Sequence, residues 1–68
     1  MTEKTRIEYQ RLEQARWHAQ DCGGRIAYQP VTKRVLWYSH HYTMTDIFTD
    51  TDGNGDWIIG GYSAFRLY

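Results

Sequence analysis

The chain has 68 residues, a mass of 8.1 kDa, eight Lys plus Arg against eight Asp plus Glu, and eleven aromatic residues. Mass scaling leaves about 60% of the unfolded surface buried, enough for one small domain but not for a two-lobed enzyme or a repeat array. Charge is unevenly spread: residues 1–34 carry seven basic and four acidic side chains, residues 35–68 one basic and four acidic. That division lacks the basic stripe of a phosphate-backbone binder and is no acidic nucleic-acid mimic.

Residues 3–21 contain no Gly or Pro and are rich in Glu, Gln, Arg and Ala, which predicts one N-terminal helix with Thr2 as N-cap. Gly23-Gly24 is its stop. On such a helix Leu12, Ala15 and Ala19 form a narrow apolar stripe flanked by Cys22. Trp17 points away from the stripe, on the half shared by Arg6, Tyr9 and Glu13. Trp17 packs under a loop or the C-terminus, is an exposed anchor for another macromolecule, or serves self-association.

Residues 25–29 alternate, with Ile26 and Tyr28 on one face, and predict a strand. Residues 30–33 predict a turn around Pro30. Residues 34–39 predict a second strand, antiparallel to the first because the connection is short. Both of its faces are apolar, Val35 and Trp37 on one and Leu36 and Tyr38 on the other, as in a central strand. One helix covers one face; the other needs the C-terminal segment over it or is a contact surface.

Residues 43–49 read two ways. Thr43-x-x-Asp46 has capping-box spacing, whereas Thr43, Thr45, Ile47 and Thr49 alternate like a strand. Residues 50–56 predict a polar turn, and 57–68 a last strand, with Gly60-Gly61 as a bulge or a close crossing. Together these give an α+β domain over residues 1–68, one N-terminal helix on a three- or four-stranded antiparallel sheet.

Asp50, Asp52, Asn54, Gly55 and Asp56 resemble the first seven positions of the EF-hand calcium loop. The twelfth position, which supplies a bidentate Glu in that family, is Gly61 here, and a strand replaces the following helix. The segment reads as a solvated acidic turn, with a weak calcium site as the alternative. His40 and His41 would point to opposite sides of a strand, and His18 lies apart from them, so no metal site is expected. Cys22 sits at a helix C-terminus, where the macrodipole disfavours a thiolate, and no internal disulfide can form. No phosphate-binding, nucleophile-elbow or zinc-protease motif is present, and neither an enzyme nor a cofactor is expected.

These features imply a non-catalytic module that binds another protein through Trp17, Tyr9, Arg6, Glu13, Trp37 and Tyr38. Read from Met1 as a complete product, the chain has the size of many stoichiometric inhibitors made by phages and other mobile elements. The alternative is single-stranded nucleic acid on a basic and aromatic hairpin, with Arg25, Lys33 and Arg34 on the backbone. Self-association into a homodimer through an open sheet edge is a third possibility. One cysteine and no long apolar run point to the cytoplasm, with no membrane contact.

Overall fold

The computed structural model describes residues 4–51 and 56–65. Its elements in chain order are β1 (Arg6–Tyr9), α1 (Leu12–Cys22), β2 (Arg25–Gln29), β3 (Arg34–Tyr38), α2 (Met44–Thr51), β4 (Ile58–Gly60) and a 3-10 turn (Tyr62–Phe65). The strands form one antiparallel sheet in the order β1-β3-β2-β4. The α+β class and the antiparallel sheet agree with the sequence reading.

The single N-terminal helix does not. Arg6–Tyr9 is a strand, and the helix begins only at Leu12. The reason lies in the alternation Ile7, Tyr9 against Arg6, Glu8. Ile7 and Tyr9 turn toward α1 and pack against its core, while Arg6 and Glu8 turn to the other side of the sheet. Tertiary pairing with β3 outweighs the helix propensity of the segment.

α1 lies mainly over β2 and β3. Ala15 and Ala19 are buried in it, and their small side chains let the helix approach the sheet closely. Beneath them lie Ile26, Val35 and Trp37, closed at one end by Phe65 of the 3-10 turn. The opposite face carries a second cluster of Ala27, Leu36 and Tyr38, covered by Ile47 of α2 with Tyr42, Met44, Trp57 and Ile59 around it. β3 is thus central and covered on both sides, as its apolar pattern requires.

The β2–β3 turn is held by Gln29. Its Oε1 accepts from the Thr32 N–H (2.8 Å) and the Thr32 hydroxyl (2.6 Å). Lys33 takes φ 65° and donates its N–H to the Gln29 carbonyl.

The segment 43–49, open between helix and strand in the sequence, enters the helix α2 at Met44, with Thr43 as its cap. Thr43 Oγ1 accepts from the Asp46 N–H, and Asp46 Oδ2 accepts from the Thr43 N–H, both at 3.1 Å, a reciprocal capping box. The last strand is much shorter than 57–68. The chain folds back after Gly60 in the close crossing that Gly60-Gly61 allowed, where a Cβ on Gly60 would stand 2.7 Å from the Ala64 Cβ. Residues 66–68 lie outside the described residues, as do Asp52, Asn54 and Gly55 of the calcium-loop resemblance. Among the described residues no helix is long and apolar enough to cross a membrane.

Candidate functional site

Three tryptophans take three different environments. Trp37 is 5% exposed and donates its indole N–H to the Gly23 carbonyl at 2.8 Å. Trp57 is half-buried beside the α2 cluster, with the Arg34 guanidinium 5.7 Å from its ring. Trp17 is 60% exposed on the outer side of α1.

The phase of α1 explains that exposure. Ala15 and Ala19 face the sheet, so Trp17 between them faces away. One helical turn to either side of it are Glu13 and Asp21, and Gln14 and Gln20 lie three residues away, all four exposed. The result is a single large ring set in an acidic and amide surround. An isolated exposed apolar residue is common on protein surfaces, but an exposed Trp is the residue type most often found as an interface anchor.

The other expected contact residues scatter. Tyr9 lies on β1, half-buried, with its hydroxyl 2.6 Å from His18 Nδ1. Arg6 lies on the far side of the sheet from Tyr9 and bonds Asp50 of α2. Only Glu13 shares a surface with Trp17. Trp37 and Tyr38 are corrected outright as docking residues: Tyr38 has no exposed surface, and both serve as core on opposite faces of β3. Aromatic excess is absorbed here by a sheet with two covered faces.

The same burial removes the stacking platform of the nucleic-acid reading. Lys33 and Arg34 are exposed and Arg25 is half-buried, but the hairpin rings beside them point into the two cores. Arg34 is also engaged, donating to both Glu8 carboxylate oxygens at 3.0 and 3.3 Å.

A second constellation was not anticipated from sequence. The Tyr38 hydroxyl donates to Asp50 Oδ2 at 2.7 Å, and the Arg6 guanidinium donates to the same oxygen. Those two donors hold the Asp50 carboxyl below its ordinary value, and burial, with the neighbouring carboxylate, pushes the Tyr38 phenol up. Lys4 adds a 3.0 Å ion pair to Asp46 and lies 5.4 Å from the Tyr42 ring. Lys4, Arg6, Tyr42, Asp46, Thr49 and Asp50 line an open groove of about 410 Å³. Its two cations each face a carboxylate, so the groove is internally neutralised and fastens α2 to β1. Sequence offered no signal for it, because the segment holding Lys4 and Arg6 reads as helix.

Among the described residues no group of three or more His, Cys, Asp or Glu is placed to hold a metal ion. His40 and His41 meet edge to face at 4.3 Å, and His18 is stacked in the α1 layer. No protein-family model matches the chain, and comparison with curated proteins and with solved structures found no similar one.

Proposed function

We propose that this chain is a small non-enzymatic module that binds another protein through the outer face of α1. The observation that carries the reading is Trp17, an indole 60% exposed on a helix whose opposite side is fully committed to the core. Its surround of Glu13 and Asp21 fits a partner with an apolar pocket and a basic rim. Burying the ring there, inside a rim that excludes water, supplies the energy, and the acidic rim sets orientation.

The finer reading is a stoichiometric inhibitor or regulator of a larger complex, of the kind phages and mobile elements carry. Its support is size together with the exposed Trp17 indole. The single exposed cysteine fits a reducing cytoplasm.

The test compares wild-type chain with Trp17→Ala as baits in lysate of the source cell, followed by titration of the purified captured protein against each. The substitution should weaken binding by about 2 kcal/mol or more while leaving the circular dichroism unchanged. Equal affinity of the two baits removes the α1 face as the contact surface.

A further inference from the structure

The sheet ends on one side at β1, whose outer edge no described strand covers. The phase of its hydrogen bonds is set by Ser39, which donates its N–H to the Thr5 carbonyl at 2.9 Å. Antiparallel ladders alternate, so Ile7 and Tyr9 bond inward to Trp37 and Val35. The N–H and C=O groups of Arg6 and Glu8 therefore point outward. We propose that this edge is a self-complementary interface that pairs with β1 of a second copy of the chain about a two-fold axis through Ile7.

Charge selects the occupant and the register. Hydrogen-bonded pairing of two β1 strands must match outward-facing residues with outward-facing residues. Centring the axis on Arg6 sets Arg6 against Arg6 and Glu8 only against Lys4, which precedes the strand and is already paired with Asp46, and centring it on Glu8 sets Glu8 against Glu8. Centring it on Ile7 sets each Arg6 against the second copy's Glu8, twice. The side chains on that face are already arranged to extend this. Within one chain Arg34 bonds Glu8, and Arg6 bonds Asp50. Pairing would join them into two alternating rows, each running Arg34, Glu8, then Arg6 and Asp50 of the second copy. On the α1 side Ile7 would meet its own copy, and α1, which lies mainly over β2 and β3, leaves that edge accessible.

Four residues of strand make a small contact, under about 1,200 Å², so the dimer belongs to the weak class with a Kd in the range of about 10–100 µM. The Trp17 surface lies on the outer side of α1 and is untouched by this pairing.

Sedimentation of the full chain over a concentration series reads the result. Wild type should pass from 8.1 kDa toward twice that mass. Glu8→Arg alone opposes two arginines and Arg6→Glu alone opposes two glutamates, and each should weaken pairing about tenfold or more. Mixed in equal amounts, the two variants regain opposite charges at every pair and should associate with each other. Glu8→Pro is a second probe: the Glu8 N–H takes no part in the β1–β3 ladder, so the variant should stay folded and lose the dimer. A wild-type mass that stays at 8.1 kDa into the millimolar range overturns the proposal. So does a dimer that survives in folded Glu8→Pro, or folded charge variants that do not recover on mixing.

Discussion

His18 lies flat on Trp37, with ring centroids 3.8 Å apart and planes within 11° of parallel. This contact docks the middle of α1 on the central strand. Tyr9 completes it from β1, edge to face with His18 and hydrogen-bonded to its Nδ1. His18→Ala should therefore lower the stability of the fold by about 1–2 kcal/mol, losing both a ring contact and the partner of the Tyr9 hydroxyl. His18→Phe keeps the stack and should recover part of the loss. Urea midpoints of the three proteins check the order.

Trp17 and Trp37 should separate cleanly under substitution. Trp17→Ala removes little buried surface and should change stability by no more than about 0.5 kcal/mol. Trp37→Ala opens a cavity between α1 and the sheet and should cost about 3–5 kcal/mol. Equal costs in chemical denaturation would place Trp17 in the core and withdraw it as an anchor.

Gly23 and Gly24 both have positive φ, 82° and 93°, but for different reasons. A Cβ at Gly23 would meet nothing within 4 Å, so Gly23→Ala bears only backbone strain, about 1–2 kcal/mol. At Gly24 it would stand 2.3 Å from the Tyr38 carbonyl oxygen and 2.9 Å from Trp37 Nε1. Gly24→Ala should cost distinctly more, about 3 kcal/mol or above, because β2 must shift off β3. Thermal melts of the pair test the ranking.

Asp50 makes the α2 layer sensitive to acid. Its carboxyl is held low by the Tyr38 hydroxyl and then by Arg6, so folding favours the ionised form. That contribution is fully present above the ordinary carboxylate value of 3.8 and is lost as pH falls below it through the lowered folded value. Asp50→Asn should flatten the dependence of melting temperature on pH between about 5 and about 2. Tyr38→Phe should cost about 1 kcal/mol at neutral pH, the net worth of its hydrogen bond, since the partly exposed Asp50 carboxylate keeps Arg6 and can take water in place of the lost donor.

The reciprocal Thr43 and Asp46 bonds close the first turn of α2. Thr43→Ala should cost about 1 kcal/mol, and Thr43→Ser little, as read from denaturation midpoints.

The hairpin of β2 and β3 was legible because alternation, Pro30 and a short connection agree on it. The two-sided pattern of Val35 to Tyr38 correctly implied a central strand. The outward phase of Trp17 was legible from helical periodicity alone, since Ala15 and Ala19 fix that phase wherever the helix starts. β1 was hidden by composition. Thr5, Ile7 and Tyr9 recur at a spacing of two, a strand signal, yet Glu, Gln and Arg around them favour helix. That single misreading also hid the Arg6 and Asp50 contact and the outward groups of Arg6 and Glu8, which exist only once β1 pairs. The close crossing at Gly60 was legible in Gly60-Gly61, but the 3-10 turn of Tyr62–Phe65 that shortens β4 was not, because the apolar and aromatic residues around it suit a strand equally well.

The two cores differ in how they are fastened. One rests on Ala15, Ala19, Ile26, Val35, Trp37 and Phe65; the other depends on a short helix that buries Ile47, packs Met44 partly beside it, and is tied by ionic and polar contacts to Lys4, Arg6 and Tyr38. Unfolding therefore has a sequence of events. Acid or concentrated salt should peel α2 away first and wet Leu36, while the α1 layer keeps its amide protons and Trp17 stays on a structured support.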